Sequence, residues 1–259
     1  KATNKTDTSA TITRAELKQY VRNIRKLLTQ SDHSVIDSGI ELARSLDDAA
    51  VFDELFQGCS IDTNGQLVKN KLFTGTGPAQ PYLNYALLGM LSSAPQACAA
   101  VVTLRQSITR LDLSACESFQ SLPAGLDSIP HLNSLQISNW RSLQNVDGLT
   151  HCTKLTSLDL SQCESLQNVD VLANCTNLTS LALNGCGAAL QTVEGLTRCT
   201  KLTSLDLRGC KSLQNVDGLT NCTKPTSLEL RGCGALQNVD GLTNCTRLTS
   251  LELWACGSL

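Results

Sequence analysis

Leu155–Asn177 reads LTSLDLSQCESLQNVDVLANCTN, with apolar or cysteine side chains at positions 1, 4, 6, 9, 12, 15, 18 and 21 of the stretch. Leu158 and Leu160 alternate with polar residues, as in a short strand, and the later apolar side chains recur every three residues. This spacing is neither that of a helix nor that of a long strand. It indicates a coil whose turns send their side chains into a shared interior.

The stretch is one unit of a repeat that extends from Ile108 to the end of the chain. Its equivalent hexapeptides are ITRLDL, LNSLQI, LTSLDL, LTSLAL, LTSLDL, PTSLEL and LTSLEL, and they begin at Ile108, Leu132, Leu155, Leu178, Leu202, Pro225 and Leu248. Successive units are therefore 23 or 24 residues long. Because one unit alone cannot bury its apolar edge, stability must come from stacking neighbouring units.

The motif LTSLDLSQC…LQNVDGLTNCT resembles the leucine-rich repeat family, and it is most similar to the short-repeat class of internalins and SDS22-like phosphatase regulators. The resemblance covers about 150 of the 259 residues. It implies an α/β fold, a right-handed leucine-rich repeat solenoid with a concave parallel β-sheet and short 3₁₀ or extended segments on the convex side. The family usually has asparagine at position 9, where this chain has cysteine.

The first 107 residues do not show the repeat. Residues 1–12 form a polar leader that is predicted to be poorly ordered, and residues 13–107 are predicted to be an α-helical domain that caps the first coil. A separate interaction domain is the alternative. Predicted helices extend from Arg14 to Thr29, after Ser31 or Asp32, after Asp47 or Asp48, from Tyr82 to Leu91 and from Ala97 to Leu104. The repeats then fill 108–259 with about 6.5 units and no recognisable C-terminal cap.

Charge and hydropathy argue against two kinds of partner. The net charge of −2 combines 21 basic and 23 acidic residues without a long run of either sign, so no nucleic-acid footprint is visible. Residues between Lys71 and Arg105 are uncharged, but proline and glycine interrupt every window long enough to span a membrane. Gly75–Pro81 lacks the Gly-Lys-Ser/Thr ending of a phosphate-binding loop and is predicted to be an ordinary connection.

Cysteine is the unusual component of the repeat. Of the 13 cysteines, 11 lie in two series, at position 9 (Cys116, Cys163, Cys186, Cys210, Cys233, Cys256) and near position 21 (Cys152, Cys175, Cys199, Cys222, Cys245). Trp140 and Ile129 occupy the same two places in early units, so both places are predicted to be interior. At position 9 the thiol is expected to donate its S–H to the carbonyl of a neighbouring loop.

The spacing of these cysteines bears on metal and redox chemistry. From Cys152 onward, consecutive cysteines are 11 to 13 residues apart, unlike clustered zinc ligands, so no metal site is predicted. Disulfides between stacked coils stay open as an alternative, because equivalent Cα atoms lie about 5 Å apart. Buried reduced thiols are the favoured interpretation. They indicate a cytoplasmic location and leave secretion open.

The surface that could bind a partner is predicted from the strand positions. Positions 3, 5 and 7 point away from the core onto the concave sheet. Position 5 is mostly acidic, with Asp112, Gln136, Asp159, Ala182, Asp206, Glu229 and Glu252. Position 7 is variable, with Ser114, Ser138, Ser161, Asn184, Arg208, Arg231 and Trp254. Each arginine follows an acid by two residues, so we expect partial neutralisation on the same face.

These features predict a non-enzymatic protein–protein recognition module whose partner is a protein or peptide. The candidate binding residues are Asp159, Asn184, Asp206, Arg208, Glu229, Arg231, Glu252 and Trp254. A solvated, self-compensating surface is the alternative for the same stripe. No catalytic residue or cofactor is predicted, because His33, His131 and His151 lack a nucleophile motif. The other functional hypothesis is a structural or assembly protein that forms a homodimer through its uncapped solenoid end.

Overall fold

The structure is a computed structural model. It describes residues 12–28, 30, 32–61, 63, 67–68, 88–91, 94, 98–114, 119–122, 125–187 and 189–259. The predicted leader up to residue 11, the connection Gly75–Pro81 and Cys116 lie outside the described residues. Of the helix predicted from Tyr82 to Leu91, residues 88–91 are described, and they are helical.

The N-terminal part is helical, with a small hairpin. Its helices are α1 (Arg14–Leu28), α2 (His33–Leu46), α3 (Ala49–Phe56) and α4 (Ala99–Ser107), and its antiparallel strands are β1 (Ser60–Ile61) and β2 (Leu67–Val68). Asp32 caps α2 by accepting a hydrogen bond from Ser34 N at 2.9 Å, and Asp48 caps α3 by accepting one from Ala50 N at 2.7 Å. The two caps confirm that the predicted helix starts were correct, because an aspartate at each start satisfies an otherwise free N–H group.

Seven parallel strands form one sheet in chain order. They are β3 (Arg110–Asp112), β4 (Ser134–Gln136), β5 (Ser157–Asp159), β6 (Ser180–Ala182), β7 (Ser204–Asp206), β8 (Ser227–Glu229) and β9 (Ser250–Glu252). Equivalent positions of successive repeats pair directly, as Leu158 does with Leu181 and Leu181 with Leu205. Each of the first six strands is followed by a short 3₁₀ helix, at Leu126–Ser128, Asp147–Leu149, Asp170–Asn174, Glu194–Leu196, Asp217–Leu219 and Asp240–Leu242. The predicted solenoid is confirmed.

One hydrophobic core extends from the helices into the repeats. Val101 and Leu104 of α4 and Leu111 of β3 are buried in the same cluster as the repeat leucines. The N-terminal helices therefore cover the apolar face of the first coil, as expected for a solenoid cap.

The described thiols at position 9 are hydrogen-bonded, as predicted, and all of them are buried except Cys256, which is half-buried. Cys163 donates to Ile137 O at 3.4 Å, Cys186 to Leu160 O at 3.2 Å, and the later coils repeat the contact. Trp140 fills this place in its own coil, and its Nε1–H donates to the equivalent carbonyl of Leu113 at 2.6 Å. Position 9 is therefore an interior donor site that links each coil to the strand of the coil before it.

The second series of cysteines forms another internal ladder. Cys175, Cys222 and Cys245 each lie within sulfur hydrogen-bonding distance of the carbonyl of the preceding cysteine in the series, at 3.7, 3.6 and 3.0 Å. These side chains are buried. Small interior places that recur in every coil thus explain why a chain with so few aromatic residues has so many cysteines.

Pro225 weakens one junction between coils. In neighbouring coils the residue equivalent to Pro225 is a leucine whose N–H donates to the preceding cysteine, as Leu202 does to Cys199 O at 3.0 Å. Proline has no such donor. Thr203 N and Ser204 N both donate to Thr179 O, but no equivalent bonds from the next coil to Thr203 O occur among the described residues.

Substitution of Pro225 by leucine is expected to stabilise this junction. Restoring two or three backbone hydrogen bonds should raise the free energy of unfolding by about 1–2 kcal/mol, since each contributes roughly 1 kcal/mol and the loss of proline rigidity offsets part of the gain. Urea denaturation measures the gain, and hydrogen exchange locates it. Amides of this coil that exchange no faster than those of its neighbours in the wild-type protein would contradict the assignment.

Candidate functional site

The concave face of the sheet displays the predicted binding residues. In β3 to β8 the central leucine is buried, whereas in β9 the central Leu251 is 37% exposed. The residues on either side of the central leucine point outward, and of these Ser134 is buried. In the strand register Asp159 pairs with Ala182, Ala182 with Asp206, Asp206 with Glu229, and Glu229 with Glu252. Ala182 therefore separates Asp159 from the three acids that follow, and the candidate residues fall into two groups.

The first group is small, polar and internally hydrogen-bonded. Ser161 Oγ lies 2.5 Å from Asp159 Oδ1 and 2.6 Å from Asn184 Oδ1. Ser161 N also donates to Asp159 Oδ1 at 2.9 Å. Ser138 Oγ donates to Ser114 Oγ at 2.9 Å in the preceding coils. This half of the face has neither an exposed aromatic ring nor a cation at position 7.

The second group is a charge ladder, formed by Asp206, Arg208, Glu229, Arg231 and Glu252. Arg208 Nε lies 2.9 Å from Asp206 Oδ1, its second terminal nitrogen lies 2.5 Å from Asp206 Oδ2, and Nε also lies 3.2 Å from Glu229 Oε2. Arg231 lies 3.4 Å from Glu229 Oε2 and 3.3 Å from Glu252 Oε2. Each arginine thus bridges the acid of its own strand and the acid of the next strand.

This arrangement offsets the repulsion that stacked carboxylates would otherwise suffer. Acids on adjacent parallel strands, about 5 Å apart, repel by roughly 1 kcal/mol even in water. Hydrogen bonding to Asp206 raises the pKa of the Arg208 guanidinium, so this bridge stays charged at any physiological pH. The arginine side chains remain about two-fifths exposed, 43% for Arg208 and 42% for Arg231, so each ion pair is partly screened.

Trp254 continues the position-7 column beyond the two arginines. Its side chain stands in open solvent, with 76% of the residue surface exposed, and its backbone carbonyl accepts a hydrogen bond from Gly232 N at 2.8 Å. The second tryptophan of the chain, Trp140, is completely buried. Trp254 is therefore held in register while its ring stays available.

Within the part of the chain that the structure describes, no group of three or more His, Cys, Asp or Glu side chains is placed to hold a metal ion. No helix among the described residues is long and apolar enough to cross a membrane. A polar pocket of about 500 Å³ lies away from the sheet, beside Asn174 and Arg198, and the candidate residues do not line it.

Comparison with known proteins agrees with the architecture. A family model described as Leucine Rich repeat matches residues 151–173 and 198–219, which lie within the stacked coils. The stacked coils have the leucine-rich repeat fold. A search of curated proteins finds no significant match to this leucine-rich repeat chain.

Several solved leucine-rich repeat structures are similar to the chain. Internalin C2 from Listeria monocytogenes is 18% identical, with 65% of this chain and 82% of that chain covered and a TM-score of 0.45. The functional domain of InlJ from Listeria monocytogenes, which includes a cysteine ladder, is 19% identical. The match covers 56% of this chain and 41% of that chain, with a TM-score of 0.35. The Leptospira interrogans protein LIC12759 is 16% identical. The match covers 62% of this chain and 58% of that chain, with a TM-score of 0.33.

The sequence predicted the ion pairs between an arginine and the acid of its own coil. It did not predict the ion pairs between an arginine and the acid of the next coil. Arg208 was expected to neutralise Asp206, and the structure places the two in contact. The contacts of Arg208 with Glu229 and of Arg231 with Glu252 were not foreseen. Exact alignment of the repeats would have indicated them, since equal positions pair across a parallel sheet.

Proposed function

We propose that this leucine-rich repeat chain is a non-enzymatic recognition module that binds a protein or peptide on its concave face. The observation that carries the proposal is the charge ladder, Asp206 to Glu252, beside the exposed ring of Trp254. Leucine-rich repeat solenoids are common protein-interaction modules, because the curved stack of coils creates an extended concave surface. Arginine and tryptophan are the side chains most enriched among binding hot spots.

The charge ladder can exchange its internal ion pairs for ion pairs with a ligand. Its ion pairs are partly exposed, so each contributes no more than about 1 kcal/mol to stability. A ligand can therefore replace an internal pair with an intermolecular pair at little cost. Burial of the same charges beneath a ligand strengthens the new contacts and makes a mismatched ligand unfavourable. The ladder thus supplies specificity, and Trp254 supplies apolar area.

The double variant R208Q/R231Q tests the proposal. It removes both bridging guanidinium groups and leaves shorter, neutral polar side chains. We expect the affinity for a protein captured from the source organism to fall at least tenfold, since each charge-assisted hydrogen bond contributes about 1.5–3 kcal/mol. The free energy of unfolding should fall by about 2 kcal/mol, because the two pairs of neighbouring acids, each repelling by roughly 1 kcal/mol, lose the cations between them. Calorimetric titration measures the first quantity and urea denaturation the second.

The matched control is R198Q/R247Q, which removes two exposed arginines outside the strands. Its net charge equals that of the test variant, so it reports non-specific electrostatic effects. A captured protein counts as a concave-face partner only if the control binds it as the wild type does. The concave-face proposal would be refuted if the captured proteins bound the wild type, R208Q/R231Q and R198Q/R247Q with equal affinity.

A further inference from the structure

The last acid of the charge ladder, Glu252, contacts one arginine fewer than Glu229 does. Within the described part of the sheet, Glu229 has two arginine partners, Arg208 from the preceding coil and nearby Arg231 from its own coil. Glu252 has one, Arg231 from the preceding coil, through its Oε2 atom. By the same alternation, the second partner of Glu252 would come from position 7 of its own strand. That position is Trp254.

Trp254 is exposed by its position in the coil and because its coil is the last in the structure, where the central leucine, Leu251, is 37% exposed as well. In the interior coils the arginines at position 7 are also substantially exposed, so this column faces solvent wherever it occurs. Trp254 follows Glu252, the last residue of β9, by two residues, the spacing at which Arg208 contacts Asp206 and Arg231 contacts Glu229. The Glu252 carboxylate and the Trp254 indole therefore flank a space that, one coil earlier, a guanidinium group occupies.

We propose that Glu252 and Trp254 form a binding site for a cationic side chain, an arginine, of the protein or peptide that lies on the concave face. The proposal rests on the function proposed above and adds the chemistry of the ligand. The guanidinium donates two N–H groups to the Glu252 carboxylate, as Arg208 does to Asp206. Its plane stacks on the indole face of Trp254, since a tryptophan ring is the strongest aromatic acceptor for a cation.

Arginine suits this site better than lysine. Its planar group makes the bidentate contact and the stacking contact at once, whereas an ammonium group is a point charge that makes one or the other. The ladder itself shows that one carboxylate tolerates two neighbouring guanidinium groups, because Arg208 and Arg231 both contact Glu229 Oε2. The bound arginine would repeat this arrangement at Glu252.

An NMR titration of the whole chain tests the site. The probe is the peptide acetyl-Gly-Ser-Arg-Ser-Gly-amide, compared with the same peptide carrying citrulline, which is neutral and of nearly equal shape. The arginine peptide should shift the indole N–H resonance of Trp254 saturably and leave that of buried Trp140 unmoved. The citrulline peptide should bind at least tenfold more weakly.

Two substitutions distinguish the site from general attraction. E252Q should weaken binding of the arginine peptide about tenfold, and W254A should weaken it about three- to fivefold, read from the amide of Glu252. D240N is the matched control, because it removes one exposed negative charge outside the sheet; it should change the affinity less than twofold. Equal effects of E252Q and D240N, or equal binding of both peptides, would overturn the site.

Failure of this inference differs from failure of the proposed function. If the peptide test fails while R208Q/R231Q weakens binding of a captured partner, only the arginine site is wrong. If the peptide binds as expected and captured partners bind R208Q/R231Q with the wild-type affinity, the arginine site stands and the concave-face function is wrong.

Discussion

Replacing Trp140 with alanine is expected to lower the free energy of unfolding by about 3–5 kcal/mol. The side chain is completely buried, its ring centroid lies 5.4 Å from that of Phe119, and its Nε1–H donates to Leu113 O. Alanine would leave a cavity and an unsatisfied carbonyl in the coil that follows the helical cap. Urea denaturation followed by far-ultraviolet circular dichroism measures the loss without relying on tryptophan fluorescence.

The same substitution at Trp254 is the internal control. Its ring is 76% exposed, so W254A should change the free energy of unfolding by less than about 0.5 kcal/mol. The two variants make an identical chemical change at position 9 and at position 7 of the coil. If W140A were no more destabilising than W254A, the assignment of position 9 to the interior would be wrong.

The architecture was predictable because the repeat carries its own register. Once the period is known, each leucine of LxxLxL has an equivalent in the next unit, and a stack of equivalents is a parallel sheet. Local chemistry was also sufficient for the helix caps, since Asp32 and Asp48 each satisfy an N–H group two residues ahead. These features depend on neighbours in sequence or on exact repetition.

Contacts that depend on how closely two coils approach were not predictable. A Cβ atom added to Gly218 would overlap the carbonyl oxygen of Val193 and lie 2.9 Å from Glu194 Cα, although the sequence shows only one of several repeated glycines. In one coil Val171 stands at the equivalent position, and there the 3₁₀ helix is five residues long instead of three. The sequence shows glycine in one coil and valine in another at this position, but only the structure shows the difference in the 3₁₀ helix that goes with them.

The charge ladder lies between these two cases. Arg208 and Glu229 are 21 residues apart, and their contact requires the strand pairing that joins Asp206 to Glu229. The acid column alone, read without that pairing, indicates only repulsion. The missing cation beside Glu252 becomes visible once the alternation of Arg208 and Arg231 is seen across three strands.

Raising the pH to about 9.5 is expected to unfold the repeats, below the ordinary pKa of tyrosine and lysine. Nine buried thiols lie in the described coils, at Cys152, Cys163, Cys175, Cys186, Cys199, Cys210, Cys222, Cys233 and Cys245. Burial raises the pKa of Cys199 to about 11 and that of Cys163 to about 12, and it raises the pKa of each of the other seven as well. In the unfolded chain a cysteine has a pKa near 8.5.

The sign of the effect follows from this difference. Below a pH of about 8.5 the thiols are protonated in both states, and their burial costs nothing in proton binding. As the pH rises above that value, the unfolded chain releases protons that the folded chain retains. Each thiol then loses about 1 kcal/mol of stability per pH unit until the pH reaches its folded pKa. The eight of these thiols whose folded pKa is about 11 or higher together lose roughly 10 kcal/mol by about pH 9.5, which equals the stability of a typical domain.

Urea denaturation between pH 7 and pH 10, in the presence of a reductant, measures this loss. The slope of the unfolding free energy against pH should approach that for release of about nine protons. The variant C186A/C210A provides the comparison, because it should be less stable than the wild type at pH 7 and yet show a slope smaller by about two protons. A wild-type stability that stays constant up to pH 10 would show that the thiols are not buried.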